Sequence, residues 1–379
     1  MEVTKASLGG GLYQQLRHPD KDVFKTILKI LGLFAFLYLF ILSISLLGDA
    51  FKLFGKDFAR SLLATTSHPL IGLFIGILAT SIIQSSSTTS SIVVGLVGGG
   101  MLNIECAIPI IMGANIGTTV TNTIVSLTHI THGDEYRRAY SGAVVHDIFN
   151  LLSVMVLFPL QLTTGFLSKM ALYFEKILEN MGGLAFGSPI KIITKPLIEI
   201  ILNACGQSGW VSAGVAILLL IIALRYMVKI LKSMVLSRVE RFFQRYVFKT
   251  TFRALMLGLI LTGIVQSSSI TTSLIVPLVG AGVLSLNRVY PFTLGANVGT
   301  TVTAIMAAMV TVNSAALAVA LAHLLFNICG IIIWLPLKRI PIKLAELAGG
   351  LVQISKFYPI GLTIVIFFAL PLVLIYILR

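Results

Sequence analysis

Gln84-Ser85-Ser86-Ser87 is a run of four polar side chains inside an apolar stretch that extends over residues 70–97. The chain contains the same tetrad again, as Gln266-Ser267-Ser268-Ser269, inside residues 255–284. A second shared motif, Gly-Ala-Asn-x-Gly-Thr-Thr, begins 29 residues after each glutamine, at Gly113 and at Gly295. At a constant offset of 182, residues 84–121 and 266–303 are identical at 21 of 38 positions. The chain therefore contains an internal duplication.

The composition indicates an integral membrane protein. Hydrophobic residues make up 56% of the chain and charged residues 11%, whereas a soluble domain has about 25% charged residues. The apolar runs are close to the ~20 residues that a helix needs to cross hydrocarbon, and barrel strands would be short and alternating. We therefore predict an all-α integral membrane protein.

The net charge of +14 would raise the question of nucleic-acid binding in a soluble protein. Here the Lys and Arg lie between apolar runs, which favours positive-inside loops and no nucleic acid. The three cysteines are scattered and predict neither a disulfide framework nor a metal site. The N-terminus shows no cleavable signal peptide.

Each tetrad lies in the middle of a long apolar run, which predicts either one interrupted span or a re-entrant hairpin. We favour the hairpin, because non-helical backbone at membrane depth is tolerated only where it is buried in protein or lines a cavity. The predicted segments are a cytoplasmic N-terminal segment (1–25), a first span and interfacial helix (26–66), repeat 1 (67–165, with a hairpin at 67–102 and spans at 104–130 and 140–162), an extracellular loop (166–208), a linking span and basic cytoplasmic loop (209–248), repeat 2 (249–337, with a hairpin at 254–284 and spans at 289–310 and 315–335), and a basic loop with a last span (338–379).

The distribution of positive charge sets the predicted orientation. With a cytoplasmic N-terminus and non-crossing hairpins, 20 Lys and Arg lie inside and eight lie outside, as the positive-inside rule requires. The count leaves seven crossings. The first hairpin then enters from outside and the second from inside, so the repeats are inverted. Inverted repeats with discontinuous helices are typical of secondary transporters, whose sites lie near the midplane.

The two motifs predict complementary chemistry. A helix break at each tetrad exposes backbone N–H groups at the positive end of a helix dipole, and serine hydroxyls add further donors, so two facing tips would cradle an anion. The glycines of the second motif allow irregular backbone, whose carbonyls join Asn and Thr oxygens as ligands suited to an alkali cation. Close helix packing is the alternative for a single copy of either motif. The duplication of both motifs favours ligand sites.

Few ionisable residues lie within the predicted spans. Asp147 is a costly intramembrane carboxylate with no basic partner that the sequence identifies, so a bound cation is its expected companion; hydrogen bonds to Ser and Asn neighbours are the alternative. His146 and His323 begin the repeated pattern His-x-x-Phe-Asn, for which we favour helix–helix hydrogen bonds. No Lys or Arg is expected at the midplane, so an anion would be neutralised by helix ends and co-bound cations. Such linked binding favours cotransport.

Two enzyme classes are disfavoured. A Ser/His/Asp hydrolase fails because His146 and Asp147 are adjacent and no Gly-x-Ser-x-Gly elbow is present. The absence of a P-loop disfavours ATP hydrolysis.

The tetrads, the segments 108–118 and 291–303 and the triad Val145-His146-Asp147 closely resemble the type II sodium/phosphate cotransporters, and we take the chain for a bacterial member. The resemblance covers about residues 27–340. It implies a plasma-membrane symporter of Na⁺ and inorganic phosphate, favouring the divalent anion, with Na⁺ as the coupling ion and no cofactor. The aspartate at position 147 further implies net inward charge movement. A homodimer stays an open alternative.

The motif chemistry and the resemblance together predict two sets of site residues; the resemblance itself carries onto Ser86, Ser87, Thr88, Ser268 and Ser269 for phosphate and onto Gln266, Ser267, Thr300 and Thr303 for Na⁺. The phosphate set is Gln84, Ser85, Ser86, Ser87, Thr88, Asn115, Ser268, Ser269 and Asn297. The Na⁺ set is Gln266, Ser267, Ala296, Thr300, Thr303, Asp147 and Thr118. Ala296 stands where family members often have Ser, so only its backbone could contribute. The alternatives are a transporter of another oxyanion, such as sulfate or a dicarboxylate, and a phosphate-sensing membrane protein.

Overall fold

The computed structural model describes residues 19–180, 187–246 and 250–378, and the regular secondary structure of this part of the chain is entirely helical. The predicted all-α class is confirmed. The helices are α1 (Pro19–Lys52), α2 (Gly55–Thr66), α3 (Pro69–Ile83), α4 (Ser86–Gly98), α5 (Ile104–Ile116), α6 (Thr119–Ser126), α7 (Gly133–Thr164), α8 (Phe166–Asn180), α9 (Gly187–Ala204), α10 (Gly209–Tyr246), α11 (Thr251–Val265), α12 (Ser268–Ser273), α13 (Val276–Gly280), α14 (Leu286–Thr311), α15 (Ser314–Trp334), α16 (Arg339–Ile354), α17 (Tyr358–Ile364) and α18 (Leu370–Leu378).

Seven helical stretches within the described residues are long and apolar enough to cross a membrane, and each coincides with a predicted crossing. The chain is therefore a multi-pass membrane protein. Helices α2 and α3 would add an eighth crossing if they formed one span, but they are bent by 95°. The seven stretches are Phe24–Lys52, Ile104–His129, Gly133–Thr164, Gly209–Leu231, Leu286–Thr311, Ser314–Trp334 and Tyr358–Leu378.

The first tetrad interrupts its apolar run, as the sequence predicts. Helix α3 ends at Ile83, and α4 begins at Ser86. The Thr80 hydroxyl donates to Oγ1 of Thr89 at 3.0 Å. In a continuous helix, residues nine apart would be separated by about 13.5 Å along the axis. The chain therefore folds back at the tetrad as a helical hairpin.

In each repeat, the first helix of the hairpin packs closely against the helix that carries the second motif: α3 against α5, and α11 against α14. A Cβ atom built on Gly113 (α5) would lie 1.9 Å from the Leu73 carbonyl oxygen of α3, and one built on Gly295 (α14) would lie 1.9 Å from the Leu255 oxygen of α11. The offset of 182 therefore holds for contacts as well as for residue types. Only glycine lets the two backbones approach this closely.

Three local expectations are wrong. The irregular backbone expected in the second motif exists in the first copy, where α5 ends at Ile116, but α14 runs unbroken through the second copy. Much of the basic segment after residue 337 forms α16, which packs against α7. Helix α10 continues to Tyr246 and so includes most of the basic segment that follows the linking span.

Candidate functional site

The two tetrads adopt the same backbone conformation. Gln84 and Gln266 are left-handed, with φ of 61° and 57°, and each donates its N–H to the threonine carbonyl four residues earlier. Non-glycine residues in this region cost free energy and cluster at functional sites. The next serine is extended and caps the second half-helix, because its side chain accepts an N–H three residues on. The sequence Gln-Ser thus ends one helix and starts another.

The two helix breaks meet. The Ser87 hydroxyl donates to the Gln266 carbonyl at 3.0 Å. A cavity of about 640 Å³ lies beside this contact and is lined by both tips. Seven of the sixteen sequence-predicted site residues line it, namely Gln84, Ser85, Ser87, Thr88, Gln266, Ser267 and Ser269. Hydroxyl and amide groups therefore face one cavity from both repeats.

The other two serines of the phosphate set, Ser86 and Ser268, are buried within the tips and do not line the cavity. Each occupies the first turn of its half-helix, where backbone N–H groups have no partner within the helix.

Asn115 and Asn297 lie away from the cavity, in a buried hydrogen-bond network between the repeats. The His323 ring nitrogen Nε2 contacts Asn115 Oδ1 at 3.1 Å, and His146 Nε2 contacts Asn297 Oδ1. Each histidine thus pairs with the asparagine of the other repeat. In this arrangement both histidines contact an asparagine on another helix, which is consistent with the helix–helix hydrogen bonds predicted for them.

Two further asparagines complete this network. Asn150 donates to the Asn115 carbonyl at 2.9 Å and accepts from the Asn297 amide at 2.7 Å. Asn327 donates to the Asn297 carbonyl at 3.5 Å. The network therefore joins α5, α7, α14 and α15 at the centre of the protein.

Asp147 is buried on α7 and does not line the cavity. Its Oδ1 lies 3.3 Å from Nδ1 of His146, so the basic partner that the sequence did not identify is the preceding residue. The oxygens that face the His146 ring, one from Asp147 and one from Asn297, can only accept hydrogen bonds.

Of the other members of the Na⁺ set, Ala296 and Thr300 lie on α14, and Thr118 lies in the break between α5 and α6. The Thr118 hydroxyl donates to Ala114 O at 3.3 Å, and the Thr300 hydroxyl donates to Ala296 O at 2.9 Å. Because α14 is continuous, the Ala296 carbonyl lies within a regular helix.

A difference between the repeats distinguishes Gln266 and Thr303 from their counterparts. In repeat 1 the Thr121 hydroxyl donates to Gln84 Oε1 at 3.0 Å. The equivalent atoms of repeat 2, Gln266 Oε1 and Thr303 Oγ1, are buried and have no hydrogen-bond partner in the described part of the chain.

Thr262 also has a hydroxyl group whose hydrogen bonding differs between the two repeats. Its counterpart in repeat 1, Thr80, bonds to Thr89, whereas Thr262 Oγ1 is buried without a partner among the described residues. Buried polar atoms are nearly always hydrogen-bonded or bound to a ligand. An amide oxygen and two hydroxyl oxygens of repeat 2 are thus buried without a partner among the described residues.

The sequence reasoning missed two cations. Arg225 and Lys229, on α10, line the same cavity as the serine tips. The sequence predicts no Lys or Arg at the midplane, and this stays a prediction; the lining of the cavity as a whole nevertheless includes both side chains. A signal was present, because Arg225 lies inside an apolar span and Lys229 follows one helical turn later on the same face.

The sequence was compared with protein-family models and with known proteins, and both comparisons find transporters of the same kind. A family model described as Na⁺/Pi-cotransporter matches residues 39–188 and 219–357. The sodium-dependent phosphate transport protein 2A of Ovis aries is 35% identical over 443 residues, which cover 95% of this chain and 69% of that protein. The human protein 2B is 33% identical over 448 residues, which cover 92% of this chain and 65% of that protein.

The chain thus spans about two thirds of the length of these relatives. No solved structure gives a significant match. The family is one of transporters rather than enzymes. Since its model matches two long segments that contain both tetrads, the chain belongs to the Na⁺/Pi-cotransporter family.

Proposed function

We propose that this chain is a secondary active symporter that couples inward Na⁺ movement to the uptake of inorganic phosphate, in the form HPO₄²⁻. The observation that carries the proposal is the meeting of two Gln-Ser-Ser-Ser tips at one cavity. Their hydroxyls, and the N–H groups at the start of α4, are donors for phosphate oxygens. The names of the relatives, sodium-dependent phosphate transport proteins, agree with this cargo.

The proposed fold is a pair of inverted repeats in the plasma membrane with the N-terminus in the cytoplasm. Reciprocal contacts support the pairing, because each repeat supplies a histidine to the other repeat's asparagine. The second arm of each hairpin also packs against helices of the opposite repeat: α4 contacts α14 and α15, and α13 contacts α7. Alternating access would then rock one repeat against the other around the cavity.

The proposed Na⁺ site lies in repeat 2. Gln266 Oε1 and Thr303 Oγ1 are buried acceptors without partners in the described residues, and the Gln266 amide donates to Met306 Sδ at 3.3 Å. That bond directs the amide nitrogen to the sulfur and leaves the oxygen for a cation. A Na⁺ ion here would neutralise part of the charge of a phosphate bound at the adjacent tip. Binding of either would then raise the affinity for the other.

Uptake by proteoliposomes tests the cargo. Purified protein under an inward Na⁺ gradient should accumulate labelled phosphate, and Li⁺ or K⁺ should replace Na⁺ poorly. Excess unlabelled arsenate should compete, and sulfate should not. Uptake without Na⁺ stimulation would end the proposal, and competition by sulfate alone would change the cargo to sulfate.

A matched pair of variants tests the cation site. Thr303→Val removes a proposed Na⁺ ligand, and we expect the half-saturating Na⁺ concentration of uptake to rise about tenfold, the equivalent of about 1.4 kcal/mol. Thr121→Val removes the equivalent hydroxyl of repeat 1, which already bonds to Gln84, so its Na⁺ dependence should change little. Equal effects of the two variants would contradict a site restricted to repeat 2.

A further inference from the structure

Helix α10 presents two positive charges to the cavity. Its lining side chains are Ile221, Leu224, Arg225, Val228 and Lys229. Their spacing of three and four residues defines one face of the helix. Arg225 and Lys229 are exposed, and Lys229 Nζ lies 5.8 Å from the centre of the Tyr226 ring. This face of α10 and the two serine tips are walls of the same cavity.

Among the described residues, no acidic side chain neutralises the positive charge of this wall. The lining residues include no carboxylate. No ion pair joins Arg225 or Lys229 to an acidic side chain within the described residues. The tips themselves carry only neutral amides and hydroxyls. A cleft lined by one sign of charge raises the local concentration of an oppositely charged substrate.

The position of the two cations along α10 sets the side of the membrane on which they act. At 1.5 Å per residue, Arg225 lies about 24 Å and Lys229 about 30 Å from the start of the helix at Gly209. The two charges are therefore near the end of the 23-residue apolar stretch Gly209–Leu231. The predicted orientation makes this the cytoplasmic end.

We propose that Arg225 and Lys229 form an anion-attracting wall that sets the affinity of the cavity for phosphate. The inference rests on the proposed function and extends it to residues outside both repeats. A guanidinium group and an ammonium group on one helix face supply the full positive charges that the tips lack. Phosphate that moves between the tips and the cytoplasm on this side passes an attractive, positively charged surface. The two residues determine affinity and do not form the Na⁺ site.

Equilibrium binding of radiolabelled phosphate to purified protein in detergent, at constant Na⁺, tests this wall without requiring transport. The double variant Arg225→Gln/Lys229→Gln should raise the Kd for phosphate about tenfold at ~0.1 M ionic strength. The difference should shrink at ~1 M, made up with choline chloride, because the screening length falls from about 10 Å to about 3 Å. Arg288→Gln is the matched control, since Arg288 is exposed but does not line the cavity.

A conservative exchange separates charge from folding. Arg225→Lys/Lys229→Arg keeps both charges and should bind phosphate within about twofold of the unmodified protein. Equal Kd values for the double Gln variant, Arg288→Gln and the unmodified protein would overturn the wall. A loss of affinity that persists unchanged at high salt would also overturn it, because a surface charge effect must be screened.

Transport measurements distinguish this inference from the proposed function. Na⁺-driven phosphate uptake with the same KM in the double Gln variant and the unmodified protein would leave the symport intact and remove the wall. Salt-dependent phosphate binding without Na⁺-driven uptake would keep the wall and remove the symport. Absence of phosphate binding by the unmodified protein would overturn both.

Discussion

Gly295→Ala tests the closest helix contact of repeat 2. A Cβ atom at this position would lie 1.9 Å from the Leu255 carbonyl oxygen and 2.9 Å from the Leu259 nitrogen. Both contacts are with helix backbone, which cannot rotate away as a side chain can. Ordinary contact begins near 3.4 Å, so α11 and α14 must separate locally by about 1.5 Å.

The expected cost follows from this overlap. Overpacking of a well-packed interior costs about 1–3 kcal/mol and sometimes more. For a chain of 379 residues, an unfolding entropy of about 2.1 cal/mol/K per residue gives a Tm shift of about 1.3 °C per kcal/mol, so the Tm of the detergent-solubilised protein should fall by about 1–4 °C. Because α11 ends next to Gln266 and α14 carries Thr303, the separation should also raise the half-saturating Na⁺ concentration of phosphate uptake. Gly113→Ala, with the same overlap against Leu73 in repeat 1, should lower Tm to a similar degree.

Gly214→Ala provides the control with the opposite sign. Gly214 lies on α10, and no atom lies within 4 Å of the added Cβ. Alanine is favoured over glycine in a helix by about 1 kcal/mol, so this variant should be as stable as the unmodified protein or slightly more stable. If Gly295→Ala unfolded at the same temperature as Gly214→Ala and kept its Na⁺ dependence, the close approach of α11 and α14 would be refuted.

Four more substitutions have defined outcomes. Asp147→Gly should keep phosphate uptake but abolish phosphate-evoked current in voltage-clamped membranes, and full current would show that the carboxylate carries no coupled charge. Ser269→Ala should raise the KM for phosphate about five- to tenfold through loss of a hydroxyl donor. Ser87→Ala should also raise this KM, because the Ser87 hydroxyl donates its one proton to the Gln266 carbonyl and so joins the two tips; unchanged kinetics would assign both serines to packing. His323→Leu removes the donor to Asn115 Oδ1 and should cost about 1–3 kcal/mol in thermal unfolding, since a buried acceptor is left unpaired.

The helix breaks were predictable because their cause is local. A run of four polar residues inside an apolar segment is conspicuous, and a serine at the start of the second half-helix satisfies one of its N–H groups. Repetition of the run made packing a poor explanation. The motif Gly-Ala-Asn-x-Gly-Thr-Thr could not be assigned one backbone conformation in this way. Its first copy ends helix α5, whereas its second copy lies within the continuous helix α14. Identical residues in both conformations mean that the surroundings decide.

Helix α16 shows a different failure. Its basic residues predict a loop, yet its buried residues recur at three- and four-residue intervals, the spacing of a helix that packs on one side. The basic residues of this segment are more conspicuous in the sequence than the apolar residues that recur at helical spacing between them. The buried residues are Pro341, Ile342, Ala345, Gly349 and Val352.

Other parts of the site depend on tertiary contacts that no local pattern encodes. Asn115 and Asn297 belong to the motif that was assigned to ligands, but each contacts a histidine of the opposite repeat. Arg225 lies on a linking span outside both repeats, so the duplication does not point to this residue. The duplication shows which residues are equivalent; the fold determines which of them face the cavity.

The proposed coupling requires the two repeats to differ despite their common sequence. If the two repeats were identical in structure, their tips would bind phosphate equally, and a single Na⁺ ion would bind to either repeat with the same affinity. The structure contains the difference, because Thr121 bonds to Gln84 in repeat 1 whereas Gln266 and Thr303 have oxygens without partners in repeat 2 among the described residues. We therefore infer that repeat 1 is closed by its own hydrogen bond and that repeat 2 needs a cation to satisfy the same atoms. On this inference, Na⁺ orders the second tip, and the second tip completes the phosphate cradle with the first.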